Sequence, residues 1–225
     1  MIEIALAVVG SGPAALGGPR AVRQALHAAS VEIEPAGCTG VLAESPQLVL
    51  TARHCVEDDA ARGRVQVRFT TGATRLGRVV ATDERADQAA ILLAEPVAIP
   101  PLAIVRRQQI PGTVLYFEGH PRRPRFQIVR LDAIGRCPSL PALPNALFTT
   151  IRGAPGDSGA PVLDGAARIV GLVHGGARCQ IATPADSLAR LVDRVLERAL
   201  VRAAPGIGAA RQSPRVAIPR RRIFA

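Results

Sequence analysis

Apolar residues recur along this chain with two periods. From Ala21 to His174 they come in short runs broken by Gly, Pro, Asn and Asp. That punctuation predicts strands joined by turns. The expected strands are Ala21–Leu26, Gly40–Ala43, Leu48–Thr51, Val65–Thr70, Leu76–Thr82, Ala89–Leu93, Thr113–Glu118, Arg125–Ile134, Ala146–Thr150, Pro161–Val162 and Ile169–His174. Ala98-Ile99-Pro100-Pro101 divides them into two roughly equal groups, as a crossover between two barrels would. After Pro184 the period lengthens. Leu188, Leu191, Val192, Val195, Leu196, Ala199 and Leu200 recur at helical spacing, with Arg and Glu between them. This predicts an amphipathic helix over 186–203, with Asp186 as its N-cap. Residues 204–225 hold Pro, Gly and Arg without a period and read as a basic disordered tail, with docking on an acidic partner or membrane surface as a further reading.

Composition sharpens this picture in three ways. Hydrophobic residues make up 48% of the 225 residues but aromatics only 3%, so the core must be built from Val, Leu, Ile and Ala. All 28 basic residues are Arg, and the net charge is +10. Half of that excess sits on Arg211, Arg215, Arg220, Arg221 and Arg222, where there is no acid. A basic body attracts acidic partners non-specifically. With one Tyr and no Trp, stacking-based recognition of nucleic acid is unsupported.

The first nineteen residues support several readings. Ile4–Leu16 is uncharged, like the apolar part of a signal peptide, but Glu3 stands where a positive charge is expected. The run is too short to span a membrane as a helix. Gly10-Ser11-Gly12-Pro13-Ala14-Ala15 is similar to a dinucleotide-binding turn, with Val31–Glu34 as the next strand and its acid. Against that, Gly17, Gly18 and Pro19 would break the crossover helix early.

The chemistry centres on Gly153–Val162, where Ser158 stands between glycines before an apolar run. A serine hydroxyl needs a base to take its proton and donors to hold an oxyanion. Upstream, the apolar run Leu48–Ala52 leads to His54 beside Cys55. Between the two, Asp87 precedes the apolar run Ala89–Leu93, with Asp83 as its rival four residues earlier. The order His, Asp, Ser is one in which a nucleophilic triad occurs.

These motifs resemble those of the chymotrypsin/trypsin-like serine peptidases, particularly their bacterial members. Thr51-Ala52-Arg53-His54-Cys55 is similar to the family's histidine motif, Asp87–Leu93 to the strand carrying the triad acid, and Gly156-Asp157-Ser158-Gly159-Ala160-Pro161 to its Gly-Asp-Ser-Gly-Gly-Pro. The resemblance runs from about residue 20 to 185. It implies an all-β fold of two six-stranded Greek-key barrels with a C-terminal helix. The first barrel would span 20–100 with His54 and Asp87, and the second 101–185 with Ser158. It implies a serine endopeptidase acting on polypeptides through an acyl-enzyme. Ser158 would be nucleophile, His54 general base and Asp87 its orienter, with the N–H groups of Gly156 and Ser158 forming the oxyanion hole. It also offers a third reading of the N-terminus, in which an amine freed before Val8 would pair with Asp157.

The four cysteines contain no C-x-x-C, so no metal cage is expected. An even count fits disulfides in a secreted or periplasmic protein. The resemblance pairs Cys38 with Cys55 and leaves Cys137 for Cys179. It also puts His174, Gly175 and Gly176 on the substrate-binding strand and Arg152 at the base of the primary pocket. Arg152 and His174 together would favour an acidic P1 residue. Alternatively, Arg152 is an ordinary surface arginine. No metal or organic cofactor is expected, and the chain is expected to be a monomer. Two other readings are a catalytically silent binding protein on the same fold and a dinucleotide-binding protein resting on Gly10–Ala15.

Overall fold

The computed structural model describes residues 18–58, 63–175 and 181–203. Their strands close into two antiparallel six-stranded barrels. The first holds β1 (Ser30–Glu34), β2 (Cys38–Leu42), β3 (Leu48–Ala52), β4 (Val65–Phe69), β5 (Thr74–Asp83) and β6 (Gln88–Leu93). The second holds β7 (Val114–Glu118), β8 (Phe126–Gly135), β9 (Ala146–Thr149), β10 (Pro161–Leu163), β11 (Ile169–Val173) and β12 (Ile181–Pro184). Spatial order in the first is β1-β2-β3-β6-β5-β4, and the second repeats it as β7-β8-β9-β12-β11-β10. Closure leaves neither sheet with an open edge. Among the described residues, helices α1 (Pro19–Ala29) and α2 (Ala185–Ala203) flank the barrels.

The core has the expected aliphatic character. Val31, Ile33, Val41, Leu50, Val67 and Ile91 fill the first barrel, and Leu115, Phe117, Leu131, Val162 and Leu172 the second, all within 1% of complete burial. Fully burying one such side chain contributes about 1.5–3 kcal/mol.

Three expectations need correction. Ala21–Leu26 is helix, not strand. Val22, Leu26 and Ala29 lie on its buried stripe, and Pro19 opens the first turn, where its fixed φ suits a helix. Apart from Val22 the stretch is made of the good helix formers Ala, Arg, Gln and Leu. The first strand is instead Ser30–Glu34, paired antiparallel with β2 and β4, and β12 was not anticipated. This antiparallel pairing removes the strand that the dinucleotide reading needed; Gly10–Ala15 lies outside the described residues. Asp186 sits inside the first turn of α2 rather than capping it, and accepts from Arg190 at 2.9 Å.

Several connections fix the two barrels to each other. Just after Ala98–Pro101 the chain forms a strap. Leu102 N–H donates to Leu42 O at 3.0 Å, and Val105 N–H to Ile169 O at 2.9 Å. Gln88 at the start of β6 donates across the seam to Thr183 Oγ1 at 2.8 Å. Helix α2 packs on β5 and β6 as well as β11, so it returns from the second barrel to the first. Among the described residues no helix is long and apolar enough to cross a membrane.

Cys38 and Cys55 are bonded, with their Cα atoms 6.0 Å apart and a sequence separation of 17. The bond ties β2 to the turn that carries His54. Closing a loop of this size is worth about 3 kcal/mol. Replacing both cysteines with Ser should lower unfolding stability by about that amount, measured by denaturant titration under oxidising conditions.

Candidate active site

The His54 ring is presented by a short 3-10 turn, Arg53–Cys55, that ends β3. Asp87 lies in the turn before β6 with a left-handed backbone, φ 51°. Asp tolerates that region better than most residues. The turn is held at both ends. Asp83 Oδ1 accepts the Ala86 N–H at 3.1 Å, and Arg53 N–H donates to Asp87 O at 3.0 Å. Asp83, the rival acid, thus braces the turn while Asp87 faces the histidine.

Asp87 Oδ1 accepts the backbone N–H of His54 at 3.0 Å. Its Oδ2 lies 2.7 Å from His54 Nδ1 and 2.6 Å from His174 Nδ1. Burial opposes ionisation of Asp87, but the hydrogen bonds from His174 and His54 outweigh it and lower its pKa to about 2. An ionised carboxylate only accepts, so each Nδ1 carries the hydrogen. That leaves Nε2 of the partly exposed His54 ring with its lone pair. The hydrogen bond to Asp87 raises the His54 pKa, partly offset by desolvation.

Ser158 is brought to the seam by the loop before β10. Its carbonyl accepts the Thr39 N–H of β2 at 2.9 Å, and Gly159 N–H donates to Val173 O at 2.7 Å. The next residue leaves no room for a side chain: a Cβ on Gly159, φ 81°, would overlap Thr39 O. Gly156 has φ 93°, and a Cβ there would meet the His120 ring at 2.7 Å. Among the described residues the N–H groups of Gly156 and Ser158 have no protein acceptor. Two free donors beside one hydroxyl form an anion-binding corner. The Ser158 hydroxyl itself donates to His174 O at 3.2 Å rather than to His54.

Asp157, between them, is 2% exposed. Its Oδ1 accepts the His120 N–H at 3.0 Å, and its Oδ2 accepts the Ala154 N–H at 2.7 Å and Arg125 Nη2 at 2.5 Å. Among the described residues, the cation facing this buried carboxylate is Arg125, just before β8. Val8–Gly10, the proposed source of a freed amine, lies outside the described residues.

Residues 38–172 match the trypsin-like peptidase domain family. The chain belongs to that family. Among curated proteins none matches. Among solved structures the peptidase domain is similar to Deg5, with a TM-score of 0.66 and 19% identity over 79% of this chain and 93% of that one. It is also similar to the HtrA-type protease AlgW with decapeptide, with a TM-score of 0.68 and 15% identity over 80% of this chain and 68% of that one. Both share the two-barrel fold.

The residues expected to set specificity in this peptidase domain are differently engaged. The His174 ring is on Asp87, and its edge meets the His54 ring at 86° with centroids 5.7 Å apart. Gly175 lies against Ser158, since a Cβ there would be 3.1 Å from Ser158 Oγ. Arg152 is exposed and lines a shallow groove on the outer face of β8 with Arg125, Gln127, Ile128, Val129 and Thr150. Its backbone N–H donates to Gln127 Oε1 at 3.0 Å. Neither His54 nor Ser158 lines that groove. With its ring on Asp87, His174 does not line the groove that Arg152 lines. Gly176 and Cys179, hence the Cys137–Cys179 bridge, lie outside the described residues.

Three contributors carried no local signal. Arg125 is one of 28 arginines. Thr39 donates its hydroxyl to Gly156 O at 2.7 Å. His120 packs beneath Gly156, with Nε2 3.6 Å from Glu32 Oε1 across the seam. Each acts on a residue far away in sequence, so only folding reveals it.

Two measurements test this geometry. In an NMR titration His54 should have a pKa above the ordinary imidazole value of about 6.5, and Asp87→Asn should bring it back down. Arg125→Met should leave the Asp157 carboxylate buried without its cation. Breaking a fully buried pair costs about 3–5 kcal/mol, and the partial exposure of Arg125 reduces the expected loss to about 1–3 kcal/mol by denaturant titration.

Proposed function

We propose that this peptidase domain is a serine endopeptidase using Ser158, His54 and Asp87. The observation that carries the reading is the Asp87 carboxylate gripping the His54 backbone and Nδ1, which leaves Nε2 free to accept a proton beside the Ser158 loop. Ser158 would rotate from the His174 carbonyl to His54 when substrate docks; such bonds often tighten only in the complex. Its Oγ attacks the scissile carbonyl carbon as the proton passes to Nε2. The oxyanion forms between the N–H groups of Gly156 and Ser158. His54 then gives the proton to the leaving amine, and water hydrolyses the acyl-enzyme by the reverse path. The similarity to AlgW, a protease solved with a decapeptide, supports a polypeptide substrate. The Cys38–Cys55 bond supports a secreted or periplasmic location. The Arg125–Asp157 pair supports competence without a freed N-terminal amine.

A second reading, a catalytically silent binding protein, draws on one observation: the Ser158 hydroxyl bonds to a backbone carbonyl rather than to His54.

Labelling with a fluorophosphonate probe separates the two. Wild type should label, while Ser158→Ala should not label and His54→Ala should react at least 10²-fold more slowly, in line with the contribution of a general base. Folded wild type that fails to label would favour the silent reading. Because the His54 pKa is raised, the base is lost as pH falls through that raised value. The acid limb of the labelling-rate profile should therefore lie above about 6.5.

A further inference from the structure

The sequence has no metal-binding spacing, but the fold gathers donors from three separate segments. His54, Asp87 and His174 each offer a ligand atom, and these atoms all lie within 4.8 Å of one another. The other such group among the described residues, Cys38, His54 and Cys55, has its two sulfurs bonded to each other.

We infer that His54, Asp87 and His174 form an inhibitory site for Zn²⁺. Two imidazoles and a carboxylate with a fourth position open are a donor set that zinc takes readily. The same set disfavours Mg²⁺ and Ca²⁺, which prefer oxygen ligands. Both Nδ1 atoms aim at the same Oδ2, at 2.7 and 2.6 Å, and the two rings stand edge to face. Their lone pairs therefore converge once the hydrogens leave. Zinc–ligand distances of about 2.0–2.2 Å require the donors to spread by roughly half an ångström. One ring sits on a 3-10 turn and the other just past the end of β11, so neither is locked inside a strand.

The proton balance is simple. In the resting arrangement each Nδ1 carries a hydrogen and donates it to Oδ2. On zinc binding each neutral ring loses that hydrogen to solvent and gains one at Nε2, so it changes tautomer without net proton release. No redox change is involved. His54 held in the Nε2–H tautomer has no lone pair for the Ser158 proton. Zinc would thus stop the chemistry by fixing the base in the wrong tautomer, without blocking the Ser158 loop. His174 supplies the third donor, because a histidine–carboxylate pair alone offers only two.

The zinc site deepens the reading of this centre as a peptidase and rests on it for its inhibitory effect, but zinc binding can be measured without turnover. Isothermal titration of ZnCl₂ into the full chain, in a non-chelating buffer, should show one zinc per chain with micromolar affinity. Ser158→Ala should bind equally. His174→Ser should bind at least tenfold more weakly, with His174→Gln as a second variant if the first does not fold. In parallel, zinc should suppress fluorophosphonate labelling of wild type, and EDTA should restore it. Absence of zinc binding by wild type would overturn the inference, as would equal binding by a folded His174 variant. His174-dependent binding in a chain that never labels would uphold the site and sink the peptidase reading instead.

Discussion

One carboxylate oxygen joins the two barrels of this molecule at the candidate site. Asp87 Oδ2 lies 2.7 Å from a histidine of the first barrel and 2.6 Å from one that follows β11 of the second. Asp87 is 6% exposed, so its charge is poorly solvated and depends on those donors. The same bonds that keep it ionised fix the tautomer and direction of both rings. The turn behind it, braced by Asp83 and Arg53, holds a left-handed backbone in place to make this geometry available.

A second buried carboxylate organises the other half of the site. Asp157 accepts from Arg125, from the His120 N–H and from the Ala154 N–H. Arg125 and His120 both lie in or beside the β7–β8 connection, so one segment governs the loop that presents Ser158. That segment is in turn anchored to the first barrel. Arg122 Nε lies 2.6 Å from Glu32 Oε2 on β1, and its Nη2 donates to Glu34 at 3.0 Å. The loop that carries the N–H groups of Gly156 and Ser158 is thus held by ion pairs as well as by its own hydrogen bonds, such as Asp157 N–H to Ala154 O at 3.1 Å. Charge-assisted bonds of this kind, partly screened from water, are among the stronger polar contacts a protein can make.

Much of the fold was legible along the chain. Short apolar runs bounded by turn residues located ten of the strands to within a few residues, because a buried surface leaves its pattern in the chain: β2, β3 and β11 are buried along their whole length and read as near-continuous apolar runs. The lengthened period after Pro184 located α2 for the same reason. The failures have physical causes. Val22, Leu26 and Ala29 fall at helical spacing and their neighbours Ala21, Arg23, Gln24 and Ala25 are good helix formers, but the segment is short and its apolar stripe gains a partner only when it packs against β7. β12 is four residues long, too short to display a period.

By itself the sequence determined the candidates for the chemistry: a histidine after a strand, an acid before one, and a serine between glycines that tolerate positive φ. Those are local requirements, and local order expresses them. Tertiary structure alone decided which groups touch. It put His174 on Asp87, sent Arg152 to the outer face of β8, and gave Asp157 an internal guanidinium. Each of these is a contact between residues at least 27 positions apart or a placement set by strand register. Sequence spacing carries no information about such meetings; the closure of two barrels against each other creates them.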